Sequence, residues 1–179
     1  MSFNARSFNE LRQLEDDNIE SRIYEFVTKH NPDIVCFQEA YYAMKRNDAF
    51  RIVPGLNTIQ NEESTKLFEK SRSVMLKQYE QASLIRENME ATSYKKIVVG
   101  DFNNTQYSNV YHKIKGDLND SYLEKGKGFG RTYEVLKFPI RIDYILADPE
   151  FEVLSHQNYD ERLSDHYPIM ATLRLKSHQ

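Results

Sequence analysis

A chain of 179 residues with 40% hydrophobic and 28% charged side chains has the length and composition of one globular domain with a core, and is too short for two. Its net charge of −3 excludes affinity carried by a broad basic surface, since such binding rests on Lys and Arg neutralising phosphates; a locally basic groove stays compatible. No apolar stretch approaches the ~20 residues needed to span a bilayer, and no signal peptide is visible.

Met1 leads straight into a short strand, Ser2-Phe3-Asn4, with no turn before it, so the chain reads as trimmed upstream and its compartment is unreadable. A helix is predicted from about Asp17 to His30. Ile19, Ile23, Phe26 and Val27 form one apolar stripe, Asp16 or Asp17 caps the start, and Asn31-Pro32 ends it. Ile34 to Phe37 is a continuous apolar run, expected of a central strand buried on both faces; the lone Cys36 inside it reads as a small core residue. Between Tyr41 and Glu62 the pattern fails, and the text changes character near Asp48-Ala49 as though two distant pieces were joined.

A second helix fits Ser64 to Met89, with Leu67, Phe68, Val74, Met75, Tyr79, Ala82, Ile85 and Met89 at helical spacing, as for packing against a sheet. Ile97-Val98-Val99 is a second buried strand, broken by Gly100. Ile142 to Leu146 and Ile169 to Leu175 are further strand candidates, and the second half is richer in strand and loop than the first. The pattern is α+β or layered α/β, without repeats or low-complexity tracts.

Each predicted strand carries a polar cluster at or near its end. These are Asn4, then Gln38-Glu39, then Gly100-Asp101-Phe102-Asn103, then Asp143, and finally Ser164-Asp165-His166 ahead of the last strand. Strand ends of layered α/β proteins converge on one rim, where ligand clefts form. Hard divalent cations such as Mg²⁺ take carboxylate oxygens and water. A cation and an imidazolium offset phosphoryl charge, a carboxylate orients the attacking water, and amides hold phosphoryl oxygens. Glu39, Asp101, Asn103, Asp165 and His166 cover those roles. Singly, Gln-Glu is also a solvated strand end and Gly-Asp-Phe-Asn also an Asx-type turn; their joint occurrence carries the weight. Asp143 within an apolar strand needs a partner, and His166 or Arg141 would serve.

The segments 2–6, 33–39, 98–103, 141–146 and 164–169 (Ser-Phe-Asn-Ala-Arg, Asp-Ile-Val-Cys-Phe-Gln-Glu, Val-Val-Gly-Asp-Phe-Asn, Arg-Ile-Asp-Tyr-Ile-Leu and Ser-Asp-His-Tyr-Pro-Ile) resemble, in order, the motifs of the endonuclease/exonuclease/phosphatase superfamily. Gly126 to Tyr133 resembles the loop and strand before the Arg-Ile-Asp motif in bacterial members. The resemblance implies a four-layered α/β/β/α sandwich and Mg²⁺-dependent, or Mn²⁺-dependent, hydrolysis of phosphoesters. The substrate would be a nucleic acid, a small phosphodiester or a phospholipid headgroup. It implies metal binding by Asn4, Glu39 and Asp165, and catalytic roles for Asp101 at the water, Asn103 at the phosphate, and His166 paired with Asp143; Arg141 is structural.

Only 61 residues separate Glu39 from Asp101, and no His or Tyr in a strand context supplies the catalytic motif that relatives carry there. A single domain over 1–179 is therefore expected, with strands missing through a deletion or omitted residues near 48–49. The rival reading is a catalytically inactive metal- or phosphate-binding domain derived from that fold. Lys125, Lys127 and Arg131 make either a small basic loop or a solvated Gly-rich turn. No protein partner is predicted, and membrane association would belong to a longer parent chain.

Overall fold

A computed structural model describes residues 1–9, 14–16, 18–40 and 64–177, with side chains of 64–71 left aside. The expected join near 48–49 lies outside the described residues. The elements run β1 (Ser2–Asn4), α1 (Ile19–His30), β2 (Cys36–Gln38), α2 (Ser64–Glu90), β3 (Ile97–Asp101), α3 (Asn109–Lys115), β4 (Asn119–Asp120), α4 (Ser121–Lys125), β5 (Tyr133–Val135), β6 (Phe138–Ile140), β7 (Asp143–Ala147), β8 (Phe151–Asn158) and β9 (Ile169–Leu175). The architecture is mixed α/β. Among the described residues no helix is long and apolar enough to cross a membrane.

The strands form a four-stranded sheet in the order β2-β1-β9-β8, a three-stranded sheet in the order β3-β7-β4, and the β5-β6 hairpin. β1 and β2 run parallel, with Asn4 opposite Gln38, while β3 and β7 run antiparallel, with Asp101 opposite Asp143. β1 and β2 lie against β3, and β7 lies against β1 and β9, so the polar ends of these strands are brought together.

Side chains alternate across each strand, and this sorts core from site. In β1, Phe3 joins Met1, Ala5, Ile19, Ile23, Phe26, Tyr159 and Leu163 in a core under α1. Ser2 and Asn4, also buried, therefore face the other way, toward the second sheet. In β7, Tyr144 and Leu146 pack with Ala82, Val110, Tyr111, Ile114 and Leu118 of the α2/α3 side. Asp143, Ile145 and Ala147 are buried on the opposite face. The alternation that fills both cores leaves Asn4 and Asp143 directed at the seam between the sheets.

Several expectations need correction. β2 and β3 are edge strands among the described residues; Ile34, expected in the first of them, lies ahead of β2 at 67% exposure, and Ile97 of β3 is 43% exposed. An apolar run reports affinity for a buried place, but neither strand has a second neighbour among these residues to supply it. Cys36 is half-buried rather than in the core. β3 is not broken at Gly100 and runs on to Asp101. On α2 only Ala82 of the described stripe is fully buried; Met75 and Ile85 are exposed, and the helix packs chiefly along α3, an element the periodicity did not anticipate. The N-cap of α1 is Asn18, and Asp16 acts two residues earlier by accepting from the Asn18 N–H at 2.9 Å. Asn31, left-handed, ends α1 as expected.

Candidate active site

Three of the polar clusters sit where the chain leaves a strand through a left-handed residue. Arg6 (φ 43°) follows β1, Glu39 (φ 47°) follows β2 and Asn103 (φ 50°) follows β3. Asn tolerates this conformation, but Arg and Glu adopt it at a cost, so surrounding contacts must hold them there. Backbone bonds do so: the Ala5 N–H donates to the Gln38 carbonyl at 3.0 Å and the Ser7 N–H to the Glu39 carbonyl at 2.7 Å. The turns after β1 and β2 are thereby locked together.

A continuous chain of polar contacts then crosses the seam. Asn4 Nδ2 donates to Asp101 Oδ2 at 3.2 Å. Asp101 Oδ2 lies 3.7 Å from His166 Nε2, and His166 Nδ1 is 2.9 Å from Asp143 Oδ2. Asp101 Oδ1 accepts from the Asn103 backbone N–H at 2.7 Å, whereas the Asn103 side chain is exposed. At the other end, Asn4 Oδ1 accepts from the Arg6 N–H at 3.1 Å; the Arg6 guanidinium donates to Asp165 Oδ2 and lies 3.9 Å from Glu39 Oε2. Asp101, Asp143 and His166 thus make direct contact with one another or with Asn4. Among the described residues Glu39 joins the group through Arg6, and Asp165 through Arg6 and the Ser164 hydroxyl.

The His-Asp pair is fixed by groups the sequence reading passed over. Fully buried Thr132 accepts through its hydroxyl from the N–H of Ile142 and of Asp143, at 3.0 and 3.1 Å. Its carbonyl accepts from the Tyr167 N–H at 2.8 Å, so one residue clamps both strand entries. The Tyr133 ring lies 4.7 Å from the imidazole, and the Ser164 hydroxyl both accepts from the His166 N–H and donates to Asp165. The signal for Thr132 and Tyr133 lay in the Gly126 to Tyr133 stretch, but which backbone Thr132 would meet is a tertiary fact. Of the two partners open to Asp143, the structure supplies His166; Arg141 goes instead to Asp120 at 2.6 Å. Arg131 is not a free cation either, being bonded to Glu134 and Asp160 and stacked 4.0 Å over Tyr167.

Burial and the neighbouring charge of Asp143 raise the Asp101 carboxyl to about 6, against the opposing pull of His166. Burial works to lower the His166 pKa, but the bond to Asp143 and the charges of Asp143, Asp101 and Asp165 outweigh it, and the net shift is upward. The site therefore holds a carboxylate close to its proton-transfer range beside an imidazole biased toward imidazolium.

Among the described residues, Asp101, Asp143 and His166 each bring one ligand atom to within 4.8 Å of the others, a spacing that could hold a metal ion. Asp143 Oδ1 is buried with no hydrogen-bond partner among the described residues, so the cluster has coordinating capacity to spare. With Asn4, Glu39 and Asp165 close by through the contacts above, the donor set is mostly oxygen, which suits a hard divalent cation.

A family model for the endonuclease/exonuclease/phosphatase family matches residues 1–166. The chain belongs to that family. Its members are generally metal-dependent phosphoesterases, which accords with an acid-rich seam carrying a His-Asp pair. Among solved structures, the endonuclease/exonuclease/phosphatase from Bacteroides vulgatus is similar at 27% identity and TM-score 0.49, over 55% of this chain and 44% of that one. The mannosyl-6-phosphatase Bt3783 of Bacteroides thetaiotaomicron is similar at 27% identity and TM-score 0.46, over 55% and 46%. A functionally unknown protein of Enterococcus faecalis shares the fold over 98% of both chains, with TM-score 0.57 and 16% identity. The chain covers less than half the length of the two Bacteroides proteins. No curated protein matches the sequence.

Proposed function

We propose that this endonuclease/exonuclease/phosphatase domain hydrolyses phosphoesters, phosphodiesters among them, with a divalent cation and a water molecule as nucleophile. The observation that carries the reading is the bonded series Asn4–Asp101···His166–Asp143 at the facing ends of two sheets. The reading includes four-layered packing with helices outside two facing sheets, which the α1 core behind β1 and the α2/α3 core behind β7 support.

In this reading Glu39, Asn4 and Asp165 hold Mg²⁺ or Mn²⁺ through oxygen. When bound, such an ion would neutralise phosphoryl charge and lower the pKa of a bound water. Asp101, ionised above about pH 6, accepts the proton of the attacking water. Asp143 accepts from His166 Nδ1–H, which leaves Nε2–H, on the Asp101 side of the ring at 3.7 Å, to donate to a phosphoryl oxygen. Asn103 contributes its exposed side-chain amide to the same group. The likeness to a mannosyl-6-phosphatase puts sugar phosphates beside nucleic acids and phospholipid headgroups among substrates worth testing.

The test is hydrolysis of bis-p-nitrophenyl phosphate and p-nitrophenyl phosphate with and without Mg²⁺ or Mn²⁺. Asp101→Asn is expected to abolish metal-stimulated turnover, a fall of about 10²-fold or more, with the circular-dichroism spectrum unchanged. Equal turnover in the variant and the parent overturns the mechanism. The second reading, a metal- or phosphate-binding domain without activity, is favoured by the sequence between Glu39 and Asp101, which offers no His or Tyr in a strand context for the middle catalytic motif. It predicts calorimetric metal binding with no turnover on either substrate.

A further inference from the structure

The guanidinium of Arg6 has no part in the hydrolysis just described, yet it engages two of the three groups assigned to the cation. It donates to Asp165 Oδ2 and approaches Glu39 Oε2 at 3.9 Å, so a single positive group joins carboxylates that are 126 positions apart in the chain. The third group, Asn4, accepts through Oδ1 from the Arg6 backbone N–H at 3.1 Å. One residue thus meets all three, through its side chain twice and its main chain once.

The placement is built into the backbone. Arg6 opens a run of four residues, Arg6 to Asn9, all with φ between 43° and 64°, and the turn is bonded to the Glu39 carbonyl through the Ser7 N–H. Non-glycine residues take up this conformation only when their surroundings hold them in it. Both Arg6 and Glu39 are left-handed, and they face each other. The side chain of Arg6 is 39% exposed, so solvent reaches the guanidinium.

A hard divalent cation and a guanidinium seek the same carboxylate oxygens and repel each other at contact distance. We propose that Arg6 is a built-in counter-cation of this site, so that the divalent ion binds only by displacing the guanidinium from Glu39 and Asp165. Its effect is to raise the metal concentration at which the domain loads, because the apparent affinity falls by the fraction of molecules whose carboxylates are released. The inference rests on the reading that Glu39 and Asp165 hold the cation. Two ion pairs with partly exposed members give a modest competition, each weakened by solvent.

Isothermal titration of Mn²⁺ into the parent chain, Arg6→Ala, Arg6→Lys and Glu39→Gln tests it, with thermal melts as the check on folding. Arg6→Ala is expected to bind about tenfold tighter than the parent, equivalent to 1.4 kcal/mol. Arg6→Lys, which keeps the charge but loses the planar fork, falls between them, and supports the inference even where the alanine variant fails to fold. Glu39→Gln loses the binding. Unchanged or weaker binding in both Arg6 variants, with Glu39→Gln still abolishing it, overturns the counter-cation and leaves the cation site standing. No binding in any variant, or full binding in Glu39→Gln, overturns both.

Discussion

Asp101 carries a conflict between stability and the proposed chemistry. Its carboxyl is raised to about 6 by burial and by Asp143, so the folded state binds this proton more tightly than the unfolded chain does. The sign follows directly: across roughly pH 4 to 6 the native state holds the proton and the unfolded state has released it, so stability falls as pH rises through that window. His166, also raised, adds a loss of the same sign as pH climbs above about 6.5 through its folded value. A buried carboxylate kept ionised at neutral pH is a cost that an amide of the same shape does not carry. Asp101→Asn is therefore expected to raise the melting temperature of the metal-free protein by about 2–6 °C at pH 8, with little change at pH 4. Equal melting temperatures at pH 8 would mean that the carboxylate is not strained by its surroundings. The same substitution that removes turnover is thus predicted to stabilise the fold, as expected where function has placed a charge against the interests of folding.

At the scale of elements, the site depends on the short segments flanking β7. Arg141, just ahead of the strand, is buried with Asp120 at the end of β4, and its guanidinium lies 4.7 Å over the rings of both Tyr122 and Tyr144. Tyr111 of α3 donates its hydroxyl to the same Asp120 oxygen at 2.7 Å. Two glycines of the loop after α4, Gly126 and Gly130, serve this cluster by lying against Tyr122. A Cβ at Gly130 (φ 65°) would come within 2.5 Å of the Tyr122 ring, so the loop can close over that tyrosine only without side chains there. Removing one member of a buried ion pair leaves the other unpaired, which costs on the order of 3–5 kcal/mol, whereas replacing both with apolar residues is often close to neutral. Asp120→Leu alone is expected to destabilise by about that amount in urea unfolding. Asp120→Leu combined with Arg141→Met should recover most of the loss. A double variant as unstable as the single one would show that the charge pair, rather than the volume, is required. Thr132 acts at the same scale: its hydroxyl serves two buried N–H groups, and Thr132→Val leaves both unsatisfied for about 2–4 kcal/mol. Loss of that clamp is also expected to lower turnover, since Asp143 loses the bond that sets its height in the strand.

For the whole molecule, protection is uneven. β7 is buried along its entire length and has a strand on each side, while β2 and β3 are edges among the described residues. Native-state hydrogen exchange is expected to be slowest in β7 and in α3 beneath it, and faster in β2 and in the outer half of α2, where Met75, Leu76 and Tyr79 are exposed. Uniform protection across these segments would contradict the packing described. The two cores flank the seam that carries the site, with the α1 core behind β1 and the α2/α3 core behind β7. Cation binding at the seam is accordingly expected to slow exchange in β1 and β3 together, because Asn4 and Asp101 are bonded across it at 3.2 Å.

The sequence by itself determined the segments: β1, α1, α2 and β9 fall where periodicity and caps put them, and five ordered motifs were enough to mark the family and the polar strand ends. Such signals are local, because strand alternation, helical spacing and turn chemistry act over a few residues. Which strands are edges, why α2 leans on α3, that Arg141 turns to Asp120, and that Arg6 stands between Glu39 and Asp165 were settled only by tertiary structure. Each of these is a choice among partners tens of residues away, and no local preference can rank partners that only the folded chain brings within reach.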